Sequence, residues 1–197
     1  MIDIDMLIIR DMDDLFNLKA PAASLKNHDL KHGEKIPKNL IIKNGNLIGS
    51  INAGVMLLKP SIDEYGAIVD DIKTAKNRQY KLMEQEYLSE RYYDQWTNIS
   101  FLYNFQFGLS NRAKKYDVET IHNLHYSSRL KPWRLLYAYD ETMSWINEEP
   151  INVPYYKLWM NVFNEVNDIY LKRNIDITKL YPQPISTSNK LSSNDSD

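Results

Sequence analysis

Two aspartates separated by one residue, Asp3 and Asp5, lie in a short apolar stretch at the beginning of the sequence. In an extended backbone, side chains two positions apart point to the same side. We therefore expect both carboxylates on one face, with Ile2 and Ile4 directed toward the core. Carboxylates held close together repel each other unless a cation lies between them, and hard divalent ions prefer oxygen ligands. On this pattern alone, two solvated aspartates are the more common case.

Two further polar clusters contain amide side chains. Asn52, Ala53 and Gly54 begin an apolar segment. The glycine permits close backbone approach there, and the asparagine amide can both donate to and accept from a sugar hydroxyl. A strand that simply follows a turn explains the same residues. Glu84 and Gln85 lie on a segment with helical spacing, where polar residues usually mark the solvated face.

A loop that leads to Pro132 carries His125, Ser128 and Lys131. A single histidine after apolar residues is usually structural, and a basic loop usually faces solvent. An imidazole and an ammonium on one such loop can also present a metal ligand and a phosphate-binding group together. His122 has no comparable partner, and we interpret it as structural.

The composition excludes several classes of protein. The 197 residues carry a formal net charge of -2, which gives no attraction to nucleic acid or to an anionic membrane. The absence of cysteine excludes a disulfide framework, a zinc-thiolate site and a cysteine nucleophile. We expect no signal peptide, because the positive flank and apolar run of one are missing, and no stretch is long enough to span a bilayer. These features predict a soluble, cytoplasmic protein.

The sequence pattern of the first half of the chain predicts two strands and one capped helix. Residues 2–9 are apolar and rich in β-branched side chains, which predicts a buried strand, followed by a helical turn at 12–16. Residues 19–50 contain scattered prolines and glycines, so we expect a long loop there. A second apolar strand is predicted over 51–58. Ser61 then caps a helix whose predicted apolar face comprises Ile62, Tyr65, Ile68, Val69 and Ile72.

The second half continues the alternation of helices and strands. We expect a helix over 82–93, a mixed strand over 117–126 and an amphipathic helix from Pro154. Residues 181–197 are polar and predict a disordered tail, so residues 1–180 should form a single domain. This alternation predicts an α/β fold with a mainly parallel sheet flanked by helices, in which ligands collect at the carboxyl ends of the strands.

The polar clusters occur in an order that resembles glycosyltransferase family 8, the group that includes glycogenin and galactinol synthase. The resemblance covers about residues 1–135, and its most specific motifs are INAGVMLLKPS and HYSSRLKPW. The full order is Asp3-x-Asp5, the turn Asp13-Asp14-Leu15-Phe16, the segment from Asn52, Glu84-Gln85-Glu86-Tyr87-Leu88, Tyr103-Asn104, and the segment from His125 to Trp133.

The resemblance implies the C-terminal portion of a GT-A-type domain that moves a hexose from a nucleoside diphosphate sugar, most simply a UDP-sugar, with retention of configuration. Asp3, Asp5 and His125 match the family's ligands for Mn²⁺ or Mg²⁺, and Lys131 matches its diphosphate-binding lysine. Between His125 and Lys131, where the family commonly has a glycine close to the phosphates, this sequence has Ser128.

The resemblance also assigns residues to the sugar. Asn52, Gly54 and Gln85 match positions that line the sugar pocket, and Ala53 lies between the first two. Glu84 matches the carboxylate position that glycogenin fills with aspartate, close to the anomeric carbon. Glu84 and Gln85 are therefore the predicted catalytic residues. The acceptor, whether a glycan, a protein or a small polyol, is not readable from the sequence.

One departure from the family leaves three hypotheses open. The family's nucleotide-binding half normally precedes the Asp-x-Asp motif, and this sequence begins at that motif. On the first hypothesis, the chain is a glycosyltransferase that works with a separate N-terminal half or as a homo-oligomer. On the second, it is an inactive remnant or a regulatory module of the same family. A phosphoryl-transfer enzyme built on Asp3 and Asp5 ranks last, because no second carboxylate cluster supports it.

Overall fold

Strands and helices alternate along the chain in the computed structural model, which describes residues 1–74, 80, 83–106, 116–128, 130–148 and 150–180. The strands are β1 (Met6–Ile8), β2 (Ala22–Leu25), β3 (Ile42–Lys43), β4 (Asn46–Leu47), β5 (Ile51–Leu57), β6 (Thr97–Asn98) and β7 (Asn123–His125). The α-helices are α1 (Ile62–Thr74), α2 (Met83–Arg91), α3 (Tyr139–Glu148) and α4 (Val153–Leu171). The predicted α/β class is confirmed.

The chain divides into two compact units, Met1–His125 and Tyr126–Asp197. Because two such units can be parts of one domain, the single domain over 1–180 stays a prediction. The predicted tail, 181–197, and Leu82 at the start of the predicted second helix lie outside the described residues.

The N-terminal segment does not form the single buried strand predicted for residues 2–9. Ile2 makes an antiparallel bridge with Val55, the backbone then bends, and β1 pairs with β7. Because the bend separates two segments with different partners, the side chains do not alternate as in a continuous strand. Ile4 is 99% exposed, and Ile2 is exposed as well. The prediction that these two residues face the core is wrong.

The centre of the first unit is a three-stranded sheet in the order β5-β2-β6. All four residues of β2 are buried, although they lie in the segment 19–50 that we expected to be a loop. That prediction is wrong here because β2 consists of small residues and one leucine, which give no strong apolar signal. Ala23 and Leu25 pack in one apolar cluster and Ala22 in another, so these side chains are nevertheless core residues. The adjacent core includes Trp96, Ile36 and Ile51.

A tight hairpin also lies within the segment 19–50. Strands β3 and β4 pair through Ile42 with Leu47 and Lys43 with Asn46. The two turn residues, Asn44 and Gly45, both have positive φ, at 51° and 76°. This is the backbone of a two-residue turn that the Asn-Gly dipeptide favours.

The sheets are mixed, so the prediction of a mainly parallel sheet is wrong. Among the described strands, β1–β7, β2–β5 and β3–β4 pair antiparallel, and β2–β6 pairs parallel. The connections explain this pattern. No helical crossover separates β2 from β5, whereas α1 and α2 precede β6, and a parallel pair requires a crossover of that length.

Helix α1 begins where predicted, since the Glu64 amide donates to Ser61 Oγ at 3.2 Å. Its predicted apolar face is not buried, however: Ile62 is 86% exposed, and Tyr65 and Ile72 are exposed too. Polar contacts attach α1 to α2 instead. Arg91 Nε donates to Glu64 Oε1 at 2.7 Å, and the hydrogen bonds from Arg91 and Tyr92 hold the pKa of Glu64 below its usual range.

The second unit contains α3 and α4, and α4 begins at Val153 as its Pro154 predicts. Its core is rich in buried tyrosines. The hydroxyl of Tyr126 donates to the carbonyl of Tyr155 at 2.8 Å, and burial raises the pKa of this hydroxyl well above its ordinary value. Tyr156 donates to the carbonyl of Leu130 at 2.9 Å. Among the described helices, none is both long enough and apolar enough to cross a bilayer.

Replacing Asn98 with alanine should lower the free energy of unfolding by about 2 to 4 kcal/mol. Its buried amide accepts from the Leu25 N–H at 3.2 Å and donates to the Leu30 carbonyl at 2.8 Å. Each buried group left without a partner costs about 1 to 3 kcal/mol. Urea unfolding would measure the loss, with exposed Asn46→Ala as the control. Equal stability of the two variants would contradict this prediction.

Candidate functional site

Asp3, Asp5 and His125 come together in the first unit. One ligand atom from each lies within 4.8 Å of the others. The imidazole Nε2 of His125 is 3.3 Å from Asp5 Oδ1 and 3.8 Å from Asp3 Oδ2. The three predicted metal ligands are thus brought together, but the alternation of an extended strand is not the reason.

Three different backbone features position these side chains. The N–H of Asp3 donates to the carbonyl of Gly54 at 2.9 Å, so β5 holds the first carboxylate. Asp5 lies at the bend before β1. His125 ends β7, where it is opposite Met6, and its N–H donates to the carbonyl of Phe105 at 2.9 Å. The cluster therefore depends on the pairing of β1 with β7 as well as on β5.

The cluster is buried on one side and open on the other. The side chain of His125 is 6% exposed, that of Asp5 16% and that of Asp3 45%. Two carboxylates at this separation repel each other unless a positive charge lies between them. Two oxygen donors and one imidazole nitrogen suit Mn²⁺ or Mg²⁺, and the exposed side leaves room for phosphate oxygens. The residues present fit a divalent cation.

A line of hydrogen bonds extends from the other side of the imidazole ring. Nδ1 of His125 is 2.8 Å from Asn104 Oδ1. Nδ2 of Asn104 donates to Asn52 Oδ1 at 2.9 Å, and this oxygen also accepts from the N–H of Gly54 at 2.9 Å. Asn52, which the resemblance assigns to the sugar pocket, thus has its carbonyl oxygen committed to two protein donors.

Gly54 leaves room for the histidine ring. A Cβ atom at this position would lie 2.6 Å from both Cε1 and Nδ1 of His125 and 2.5 Å from Cε of Met6. Side chains do not approach each other so closely, so an alanine here requires a neighbour to move. The group that lies close to the Gly54 backbone is therefore the His125 imidazole.

Helix α2 contacts the same strand through Gln85. Its Oε1 accepts from the N–H of buried Ala53 at 2.9 Å. One turn later, Ser89 Oγ accepts from the N–H of Ile51 at 2.9 Å. Glu84 lies in the first turn of α2 and is exposed. The structure therefore joins Gln85 to β5 beside Gly54.

Ser128 and Lys131 belong to the second unit. Ser128 Oγ donates to the carbonyl of Leu130 at 2.9 Å, and Lys131 Nζ donates to the carbonyl of Tyr126 at 2.7 Å. Both contacts are local, and they fold the loop that ends at buried Pro132. The proposed roles of both side chains toward phosphate rest on the resemblance.

A stack of rings supports the segment that carries Asn104. The ring of Tyr103 stacks on His122 at 4.1 Å and on His32 at 5.0 Å, and its hydroxyl donates to Asp14. Burial, and then this hydrogen bond, raise the pKa of Tyr103 well above its ordinary value. His122 Nδ1 is 2.7 Å from the Asp11 carbonyl, and its structural role stays a prediction.

The sequence interpretation gave Asn104 a place in the motif order but no role. The structure places this buried residue directly against His125. The place of the Tyr103-Asn104 pair within the motif order was the signal that could have identified it. Met6, whose Sδ accepts from Asn123 Nδ2 at 2.9 Å, gave no such signal.

Comparisons with known proteins place these residues in a family context. Residues 1–136 match the family model of glycosyl transferase family 8. The chain is 43% identical over 182 residues to the protein named "Uncharacterized protein R707" of Acanthamoeba polyphaga mimivirus, and the match covers 90% of this chain and 64% of that protein. Among solved structures it is similar to the glycosyltransferase GlyE of Streptococcus pneumoniae TIGR4, with 21% identity and a TM-score of 0.45. That match covers 76% of this chain and 42% of the other. The chain thus spans less than two thirds of the length of either protein.

Proposed function

The chain belongs to glycosyl transferase family 8, and on that basis we propose that it transfers a hexose from a nucleoside diphosphate sugar, with Asp3, Asp5 and His125 holding a divalent cation. The observation that carries the proposal is the convergence of these three side chains within 4.8 Å, on a face open to solvent. A bound Mn²⁺ or Mg²⁺ would neutralise the charge that develops on the diphosphate as it leaves.

In the proposed reaction, the bond between the anomeric carbon and the diphosphate oxygen breaks. A bond from the same carbon to an acceptor hydroxyl oxygen forms on the same face, so that configuration is retained. The acceptor proton leaves with the diphosphate, which keeps atoms and charge in balance. Lys131 supplies a positive charge to the diphosphate, and Ser128 lies in the same loop.

The residues of β5 and α2 are proposed to orient the sugar. Gln85, anchored through its Oε1 to the backbone of Ala53, presents its amide N–H groups to sugar hydroxyls. Asn52 can offer only its amide nitrogen, because its oxygen is already bonded twice. Glu84, at the exposed start of α2, is the carboxylate that steadies positive charge at the anomeric carbon.

A second candidate is nucleotide-sugar binding without turnover. The observation that favours it is that the chain spans 64% of the length of R707, so a complete set of base and ribose contacts need not be present in this sequence. Binding energy from such remote contacts normally supports the chemical step. On this candidate, the cation cluster would serve recognition alone.

Two measurements distinguish the candidates. Calorimetric titration of UDP into the 197-residue chain, with and without Mn²⁺, tests cation-dependent nucleotide binding. Release of UDP from a panel of UDP-hexoses, with and without glycan and polyol acceptors, tests turnover. The first proposal requires both signals, and Mn²⁺-dependent binding without UDP release would establish the second. An affinity for UDP that does not change with Mn²⁺ would reject both candidate functions.

A further inference from the structure

We propose that Asn52 and Asn104 are positioning residues that hold His125 in a single tautomer, with the proton on Nδ1 and the Nε2 lone pair directed at the cation. This inference rests on the cation site of the proposed function. It concerns Asn104, which contacts the imidazole, and Asn52, which contacts Asn104. It gives Asn52 a task different from the sugar contact that the family resemblance assigns.

The main chain of β5 fixes the orientation of the Asn52 amide. The backbone N–H of Gly54 can only donate a hydrogen bond, and it lies 2.9 Å from one terminal atom of the Asn52 amide. That atom must therefore be the carbonyl oxygen. The orientation of the Asn52 amide, which is otherwise ambiguous, is fixed by the main chain of β5.

The orientation of Asn104 follows from that of Asn52. The Asn52 oxygen can only accept, so the Asn104 atom 2.9 Å away must be the amide nitrogen. The other end of the Asn104 amide, its oxygen, then faces Nδ1 of His125 at 2.8 Å. An oxygen acceptor at this distance requires a proton on Nδ1, and a neutral imidazole protonated there carries its lone pair on Nε2.

The hydrogen bonds that run from Asn52 through Asn104 to His125, which we call the relay, favour one tautomer because they are buried. Asn52, Asn104 and His125 are all buried, so water cannot readily replace a lost partner, and the opposite tautomer would leave two acceptors facing each other. Nε2 is the atom that faces Asp5 Oδ1 at 3.3 Å. Without a cation, Nε2 faces an acceptor of its own and takes up a proton, which a divalent cation then replaces. In both states the proton on Nδ1 stays with Asn104.

The chemistry of the relay also suits the ligand. Metal-bound histidines commonly donate their second N–H to a carboxylate or a carbonyl. Here the acceptor is a neutral amide, which orients the ring without adding a third negative charge to a site that already has two carboxylates. Such a site must still accept an anionic diphosphate, so a neutral acceptor suits it better than a carboxylate.

Long-range ¹H–¹⁵N correlation of the imidazole rings in the metal-free protein tests the proposal directly. His125→Gln identifies its signals among the four histidines. We expect a protonated Nδ1 for His125, either alone or together with a protonated Nε2. A proton on Nε2 alone in the wild-type protein would overturn the proposal without need of any variant.

Substitutions provide the second part of the test. Asn104→Leu removes the acceptor at similar volume, and we expect loss of the Nδ1–H pattern and about a 10- to 100-fold weaker affinity for Mn²⁺ alone, measured by electron paramagnetic resonance of free Mn²⁺. Asn98→Ala is the matched control, because it removes a buried asparagine that lies outside the relay. An unchanged tautomer and Mn²⁺ affinity in folded Asn104→Leu would overturn the proposal.

The two parts separate this proposal from the proposed function. An Nδ1–H tautomer that depends on Asn104, in a protein that binds no Mn²⁺, would support the relay and reject the cation site. The reverse result, Mn²⁺ binding with an Nε2–H tautomer, would reject the relay and support the site.

Discussion

Asp5→Asn and His125→Ala should each weaken Mn²⁺ binding in the presence of UDP by more than about 100-fold and abolish measurable sugar transfer. Asp5 Oδ1 and His125 Nε2 are 3.3 Å apart, and both side chains are largely buried. The asparagine removes a full negative charge, and the alanine removes the nitrogen ligand. Loss of a direct ligand should exceed the 10- to 100-fold effect that is typical of residues behind the ligands, about 1.4 to 2.7 kcal/mol.

The controls for these variants are exposed residues of the same types. Asp140→Asn, at the start of α3, and His28→Ala change the same chemical groups away from the cluster. Both should leave the calorimetric titration unchanged. Thermal melts of all four proteins separate loss of binding from loss of folding. Wild-type affinity in both cluster variants would reject the site.

Gly54→Ala should weaken Mn²⁺ binding by about 10- to 100-fold and lower the free energy of unfolding by about 1 to 3 kcal/mol. The new Cβ would meet His125 ring atoms at 2.6 Å and the Met6 methyl at 2.5 Å. The methyl ends a flexible side chain and can move aside. The ring cannot move without breaking its contact with Asn104, so the alanine should displace Nε2 from the carboxylates.

Gly66→Ala is the matched control, because a Cβ at this position in α1 meets nothing within 4 Å. It should stabilise the helix by up to about 1 kcal/mol and leave Mn²⁺ binding alone. The double variant Gly54→Ala/Met6→Ala removes the methyl contact but not the ring contact, so it should not recover affinity. If the double variant recovers Mn²⁺ affinity, the clash with Met6, rather than the clash with the imidazole, causes the loss in Gly54→Ala.

The order of motifs predicted the three side chains that converge in the cluster, but the local pattern did not predict how they converge. Asp3 and Asp5 were expected to share one face of a continuous strand. They converge instead because the backbone bends between Ile2, which bridges to Val55, and β1, which pairs with β7. A bend of this kind is determined by partners far away in the sequence, and periodicity reports only on neighbours.

The same limit explains the other differences. The spacing of Ile62 and Ile72 correctly predicts the helix α1, but spacing does not reveal whether another element covers the apolar face. Strand β2 escaped detection because its small residues give a weak apolar signal, although it is buried and paired on both edges. Asn104 could not be assigned a role because its partners, Asn52 and His125, meet it only in the folded chain.

The candidate cluster joins the first residues of the Met1–His125 unit to its last one. A cation that binds there binds only when both ends are in place, so the cation and the folded unit stabilise each other by thermodynamic linkage. At a free concentration 100 times its dissociation constant, a single bound ligand adds about 2.7 kcal/mol to the free energy of unfolding. If the proposed site binds a cation, we expect the melting temperature of this unit to rise with the concentration of divalent ions and to fall when a chelator is added.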